Sequence, residues 1–246
     1  MLKKINTKNK AFQSSIGTKI TIDSSESKVI IIKETKLNKS FYEDADFLIS
    51  LIDRYSEVLS EAGINIPKTH ETSSENHSII TKSEFAGEGI LEMMDSDKLE
   101  STVIETDIFY QIIEILKSVK FSKIDFDPHP KNYVIKNGRL SYVDLTPPWL
   151  PEYYELRLKY ANQDEKKVLE DFFGCMHYEE MGFHLAGDLV KIDEKNVSHM
   201  PLIHKTMRKE GFGSVVSHNM DGIIRGTGTF LSLSDDVNQK IVLKES

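Results

Sequence analysis

One stretch constrains this chain more than any other: Ile124-Asp-Phe-Asp127-Pro-His129-Pro-Lys-Asn132, continuing as Tyr133-Val-Ile-Lys-Asn137-Gly138-Arg-Leu-Ser-Tyr-Val-Asp144. Its two prolines fix φ and disfavour helix in the residues before them, so Asp127–Pro130 must be a stiff loop. Asn137-Gly138 between two short apolar runs is the strongest two-residue hairpin signal that a sequence offers. It predicts strands over Tyr133–Lys136 and Arg139–Val143 and folds Asp144 back towards Asn132. Upstream, Ile108, Ile112, Ile115, Leu116 and Val119 keep helical spacing, which predicts a helix over Thr106–Val119. A helix, a rigid loop and a tight hairpin therefore follow one another within 40 residues or so.

The flanking pattern changes character along the chain. Thr18, Ile20 and Ile22 alternate with Lys19 and Thr21, polar Asp23–Ser27 interrupts, and Lys28–Lys33 is rich in β-branched residues. That predicts a hairpin with a five-residue turn. Ala45, Leu48, Ile52, Tyr55, Leu59 and Ala62 place a helix over 41–62, which Gly63 ends. Ile64–Pro67 reads as extended chain, Ser78–Phe85 as a strand and Ala86–Gly89 as a connector. Beyond Pro147-Pro148 the pattern is helical to about Val190, and from Gly211 the chain is rich in Gly and Ser. Residues 1–11 are basic and polar and are expected to fray. The class is α+β, with strands and one helix first and a mainly helical part after.

Composition narrows the setting. With 246 residues, 39% hydrophobic, the chain can bury a core without disulfides. Cys175 stands alone, so no intrachain disulfide forms and a reducing, cytoplasmic location is expected. No apolar run follows the basic start, and Val29–Ile32 is the longest aliphatic block, so neither a secretory signal nor a membrane span is expected. A net charge of −8 argues against a general nucleic-acid coat.

Asp127, Asn132 and Asp144 together suit phosphoryl transfer. That chemistry needs a carboxylate to orient an acceptor hydroxyl and receive its proton, and oxygen ligands for Mg²⁺ on the phosphates. Asn and Asp oxygens meet the preference of Mg²⁺ for one or two protein ligands. Asp127-Pro-His129-Pro-Lys-Asn132 followed by Tyr142-Val-Asp144 resembles the catalytic loop and metal-binding Asp of the aminoglycoside phosphotransferase and choline kinase-like family. The resemblance is sharp over 124–146, is only a matching order of elements over 14–123, and is absent beyond 150.

It implies a two-lobed protein-kinase-like fold, with a small β-rich N-lobe at 12–85 and a mainly helical C-lobe at 86–246. It further implies an enzyme that uses ATP and Mg²⁺ to phosphorylate a hydroxyl of a small molecule. Asp127 would be the catalytic base, and Asn132 and Asp144 the metal ligands. Lys33, ending its strand, would pair with the phosphates, held by Glu43 on residue type or Asp44 on helical phase. Ser83–Gly87 would be the hinge that reads adenine. Asp125 stands where the family usually has His. There it either adds like-charge pressure that raises the proton affinity of Asp127 or marks a damaged site. The alternative function is a catalytically inactive kinase-like protein that binds a nucleotide or a partner; oligomeric state stays open.

Other residues carry less. His177, His184, His199, His204 and His218 stand at no metal-ligand spacing, and Gly226-Thr-Gly228 has no strand-to-helix unit around it. Glu152, Glu155, Glu179, Glu180 and Asp188, with Trp149, Tyr153 and Tyr154, form either a pocket for a cationic acceptor such as an amino-alcohol or aminosugar, or a solvated helix face.

Overall fold

The computed structural model describes residues 2–4, 18–23, 29–95, 106–163, 165–166, 169, 176–178, 181–192 and 199–212. In chain order the elements are β1 (Leu2–Lys4), β2 (Thr18–Asp23), β3 (Ile30–Lys36), α1 (Ala45–Glu61), β4 (Thr69–Glu75), β5 (Ser78–Glu84), β6 (Glu88–Gly89) and α2 (Ile90–Asp95). There follow α3 (Asp107–Ser122), β7 (Tyr133–Lys136), β8 (Arg139–Tyr142), α4 (Pro151–Tyr160), α5 (Met181–Ile192) and α6 (Met200–Lys209). The fold is α+β. Among the described residues no helix is long and apolar enough to cross a membrane.

Two compact units divide the chain: Met1–Gly89 with Tyr133–Tyr160, and Ile90–Asn132 with Ala161–Ser246. The β7–β8 hairpin returns to the first unit because β6 pairs with β7 and because Asn65 grips β8. Tyr142 donates its N–H to the Asn65 carbonyl at 2.9 Å, and the Asn65 amide donates to the Leu140 carbonyl at 3.0 Å.

In the first unit an antiparallel sheet runs β1-β2-β3-β5-β4. β3 is its central strand, with Lys33 opposite Ile20 on one side and Thr81 on the other. Lys33 is thus an interior strand residue rather than the strand's end. The β-branched run extends through Glu34 and Thr35, which pair with Ile80 and Ile79. β4 is a strand the sequence pattern does not predict. Thr69-His-Glu-Thr-Ser-Ser-Glu75 has no apolar alternation, as suits an edge strand. Asn76 and His77, both at positive φ (47° and 62°), make the tight turn into β5. Asn137 and Gly138 do the same between β7 and β8, at 53° and 76°.

Helix α1 buries Leu48, Leu51, Ile52, Tyr55 and Leu59 along one stripe. Each such side chain contributes about 1.5–3 kcal/mol before entropy is counted. Gly63, at φ +79°, lets the chain leave the helix.

In the second unit α3 buries Ile108, Phe109, Ile112, Ile113, Leu116 and Val119 and closes on Lys123 in the left-handed region. Met181, Leu185, Ala186 and Leu189 of α5 are buried. Gly182 lies so close to Phe212 that an added Cβ would stand 3.1 Å from its side chain. Lys120 sits 4.8 Å over the Phe212 ring and donates to the Gly211 carbonyl at 2.7 Å. Helix α6 falls where no element is predicted, and it buries Ile203, Thr206 and Met207. Gly226-Thr-Gly228 and His218 lie outside the described residues.

Candidate functional site

The first unit brings together two residues 111 positions apart. Lys33 Nζ donates to Asp144 Oδ1 at 2.5 Å, with the side chains 21% and 17% exposed. Lys33 is held by ladders on both sides of β3, and Asp144 lies just past β8. This corrects the expectation of a helix carboxylate. Asp44 binds Lys159 at 3.2 Å and accepts from the Tyr160 hydroxyl, and these two partners hold its carboxyl below the ordinary range. Glu43 is exposed in the turn before α1. The carboxylate that meets Lys33 is therefore Asp144, which the β7–β8 hairpin delivers.

Of the segment expected as the hinge, Ser83 and Glu84 belong to β5 and Phe85–Gly87 lie outside any strand. Phe85 donates its N–H to the Val29 carbonyl at 3.1 Å, and its own carbonyl accepts from Lys136 at 3.4 Å. Gly87, at φ +139°, passes so near β7 that an added Cβ would lie 2.1 Å from the Ile135 carbonyl oxygen. No other residue type fits there.

In the second unit the loop from Asp127 to Asn132 is bound to itself. Asp127 Oδ1 accepts the His129 N–H at 3.0 Å, and the Asn132 amide donates to the Asp127 carbonyl at 3.2 Å. Asn132 also donates its N–H to the His129 carbonyl at 2.9 Å. With its amide nitrogen turned inward, the carboxamide oxygen of Asn132 is the end available to a cation. His129 is a loop brace. Its Nδ1 accepts the Lys131 N–H at 3.1 Å, and burial pushes its imidazole below the ordinary pKa.

Asp127 is 7% exposed. Burial alone would raise its pKa, but His184, Lys131 and the His129 N–H outweigh that and hold the carboxyl well below the usual range. Asp125 has partners of its own. Asp125 accepts the Tyr178 N–H at 3.2 Å, beside a 2.8 Å bond from the Phe126 N–H to the Met176 carbonyl. It is a strut for the start of the loop. Burial raises its own pKa, partly offset by His177 and that N–H.

The sequence reading did not place His184 and Asp188 beside Asp127. His184 Nε2 lies 3.7 Å from Asp127 Oδ1 and 3.3 Å from Asp188 Oδ2. Two polar residues four apart in Met181-Gly-Phe-His184-Leu-Ala-Gly-Asp188-Leu189 share a face of an apolar helix, which is a signal. The proposed acidic acceptor pocket loses members: Glu152 is bound by Arg54 at 2.5 Å, Glu155 is exposed, and Trp149 and Tyr153 are buried. Glu179 and Glu180 lie outside the described residues.

No protein-family model matches the sequence, and no curated protein matches it. Among solved structures the chain is similar to the kinase domain of PknI from M. tuberculosis, at 12% identity and a TM-score of 0.43, covering 73% of this chain and 68% of that one. So slight a likeness bears on neither fold nor chemistry, which rest on the residues above.

Proposed function

We propose that this chain is an ATP- and Mg²⁺-dependent phosphotransferase acting on a hydroxyl of a small molecule. The observation that carries the reading is the Lys33–Asp144 pair. A central-strand lysine and a post-hairpin aspartate, each singled out for a phosphate or its metal, lie in hydrogen-bond contact. Lys33 would pair with the donor's phosphates, and the backbone near Phe85–Gly87 would meet the adenine. The Asp144 carboxylate and the Asn132 carboxamide oxygen are hard donors of the kind Mg²⁺ prefers. Bound Mg²⁺ would neutralise charge on the phosphates. Asp127, held ionised by its neighbours, would orient the acceptor hydroxyl and take its proton.

One observation favours a second reading, an inactive protein that binds nucleotide. Asp127 is buried and its carboxylate is already engaged by the His129 N–H. ADP release with amino-alcohols, aminosugars and neutral polyols, each with and without Mg²⁺, separates the two. Turnover of any set that requires Mg²⁺ supports the enzyme. Tight Mg·ATP binding with no turnover of any set supports the binder.

A further inference from the structure

We propose that Asp127, His184 and Asp188 form a binding site for one zinc-class divalent transition ion, separate from the Mg²⁺ of the nucleotide. Their ligand atoms lie within 4.8 Å of one another, and Asp127, His184 and Asp188 are 7%, 9% and 3% exposed. The distances are longer than direct hydrogen bonds and lie near those between two ligands of one ion. An imidazole N–H to a carboxylate prefers about 2.7–3.2 Å, and here the same Nε2 stands 3.3 Å from one carboxylate and 3.7 Å from the other. Nitrogen and oxygen donors about 2.0–2.2 Å from a tetrahedral zinc stand roughly 3.3–3.6 Å from each other.

Charge points the same way. One imidazole lies between two buried carboxylates, and a dication brings three such ligands to neutrality. The backbone supports the arrangement: His184 and Asp188 project from one face of α5, and the Asp127 loop, stiffened by Pro128 and Pro130, supplies the third donor. An imidazole in the set suits zinc, copper, iron or nickel rather than magnesium. Three protein ligands leave a fourth position open.

The test uses the full chain, in Mg²⁺ buffer without nucleotide, titrated with Co²⁺ and followed by visible absorption. The wild type should take up one Co²⁺ with the intense bands of a tetrahedral site. His184→Ala and Asp188→Asn should each weaken uptake by at least the roughly 10–100-fold that losing an outer partner of a metal costs. Zn²⁺ should also raise the melting temperature of the wild type and not that of either variant that folds. A wild type that shows no bands and no thermal shift overturns the site, as do variants that bind like the wild type. Asp127 is common to both readings, and with the ion bound its carboxylate is a ligand and not the base; none of these readouts involves phosphate transfer, so failure of metal uptake and failure of turnover are told apart.

Discussion

Two ionic groups of this molecule differ in how far water reaches them. Lys33 and Asp144 are about one-fifth exposed, so solvent screens their attraction in part. Such a pair contributes about 0–1 kcal/mol to folding, so a phosphate or a cation can replace either partner at little cost. Asp127, His184 and Asp188 are buried, and removing one of them strands the others in a medium that solvates charge poorly. A group meant to exchange partners with a ligand belongs at the rim. A group meant to hold its position belongs inside.

The sharpest way to break this comparison is to neutralise the buried carboxylate. Asp127→Asn should slow phosphate transfer by roughly 10²–10⁴-fold, with Mg·ATP affinity unchanged, as read by ADP release and calorimetry. Equal turnover would make Asp127 a purely structural ion. The first unit has its own intolerant point at Gly87. Gly87→Ala should destabilise by about 3 kcal/mol or more, because a Cβ cannot be accommodated 2.1 Å from the Ile135 oxygen. Urea unfolding measures this, and a loss under about 1 kcal/mol would contradict the close approach.

Asp125 sharpens the contrast within the buried set. Asp125→Ala should cost about 1–3 kcal/mol, since the Tyr178 N–H loses its acceptor. Asp125→Asn keeps an acceptor and should cost far less. Burial raises the native pKa of Asp125, so its charged form opposes folding at neutral pH. That penalty is complete above the native pKa and disappears as pH falls below the unfolded value of about 3.9. The stability of the Asn variant relative to wild type should therefore be greatest at neutral pH and shrink on acidification. A relative stability that does not change with pH would refute the assignment. The smallest effect belongs to the part-buried Lys33–Asp144 pair: Lys33→Met should change stability by about 1 kcal/mol or less in urea unfolding.

What was legible in the sequence follows the same division. The 3.6-residue stripes of α1 and α3 and the Asn137-Gly138 hairpin were plain because local chemistry dictates them. β4 was hidden because an edge strand covered by Thr, Ser and Glu has no apolar period. Lys33 and Asp144 could each be singled out by position, but their contact could not. Register places Lys33 at the centre of the sheet, and the hold of Asn65 on β8 sets where the Asp144 end of the hairpin lies. Glu43 and Asp44 were attractive on residue type and helical phase, yet Lys159 and Tyr160, more than a hundred residues later, claim Asp44. The His184–Asp188 face was readable as spacing, whereas its third member came from a loop 57 residues upstream.

Titrating Mg·ATP into wild type, Lys33→Met and Asp144→Ala by calorimetry tests the central claim most directly. The account predicts binding by the wild type and a loss of about tenfold or more in each variant, the cost of one charge-assisted contact, with unfolding curves nearly superimposed. Equal Mg·ATP affinity in all three proteins would contradict it.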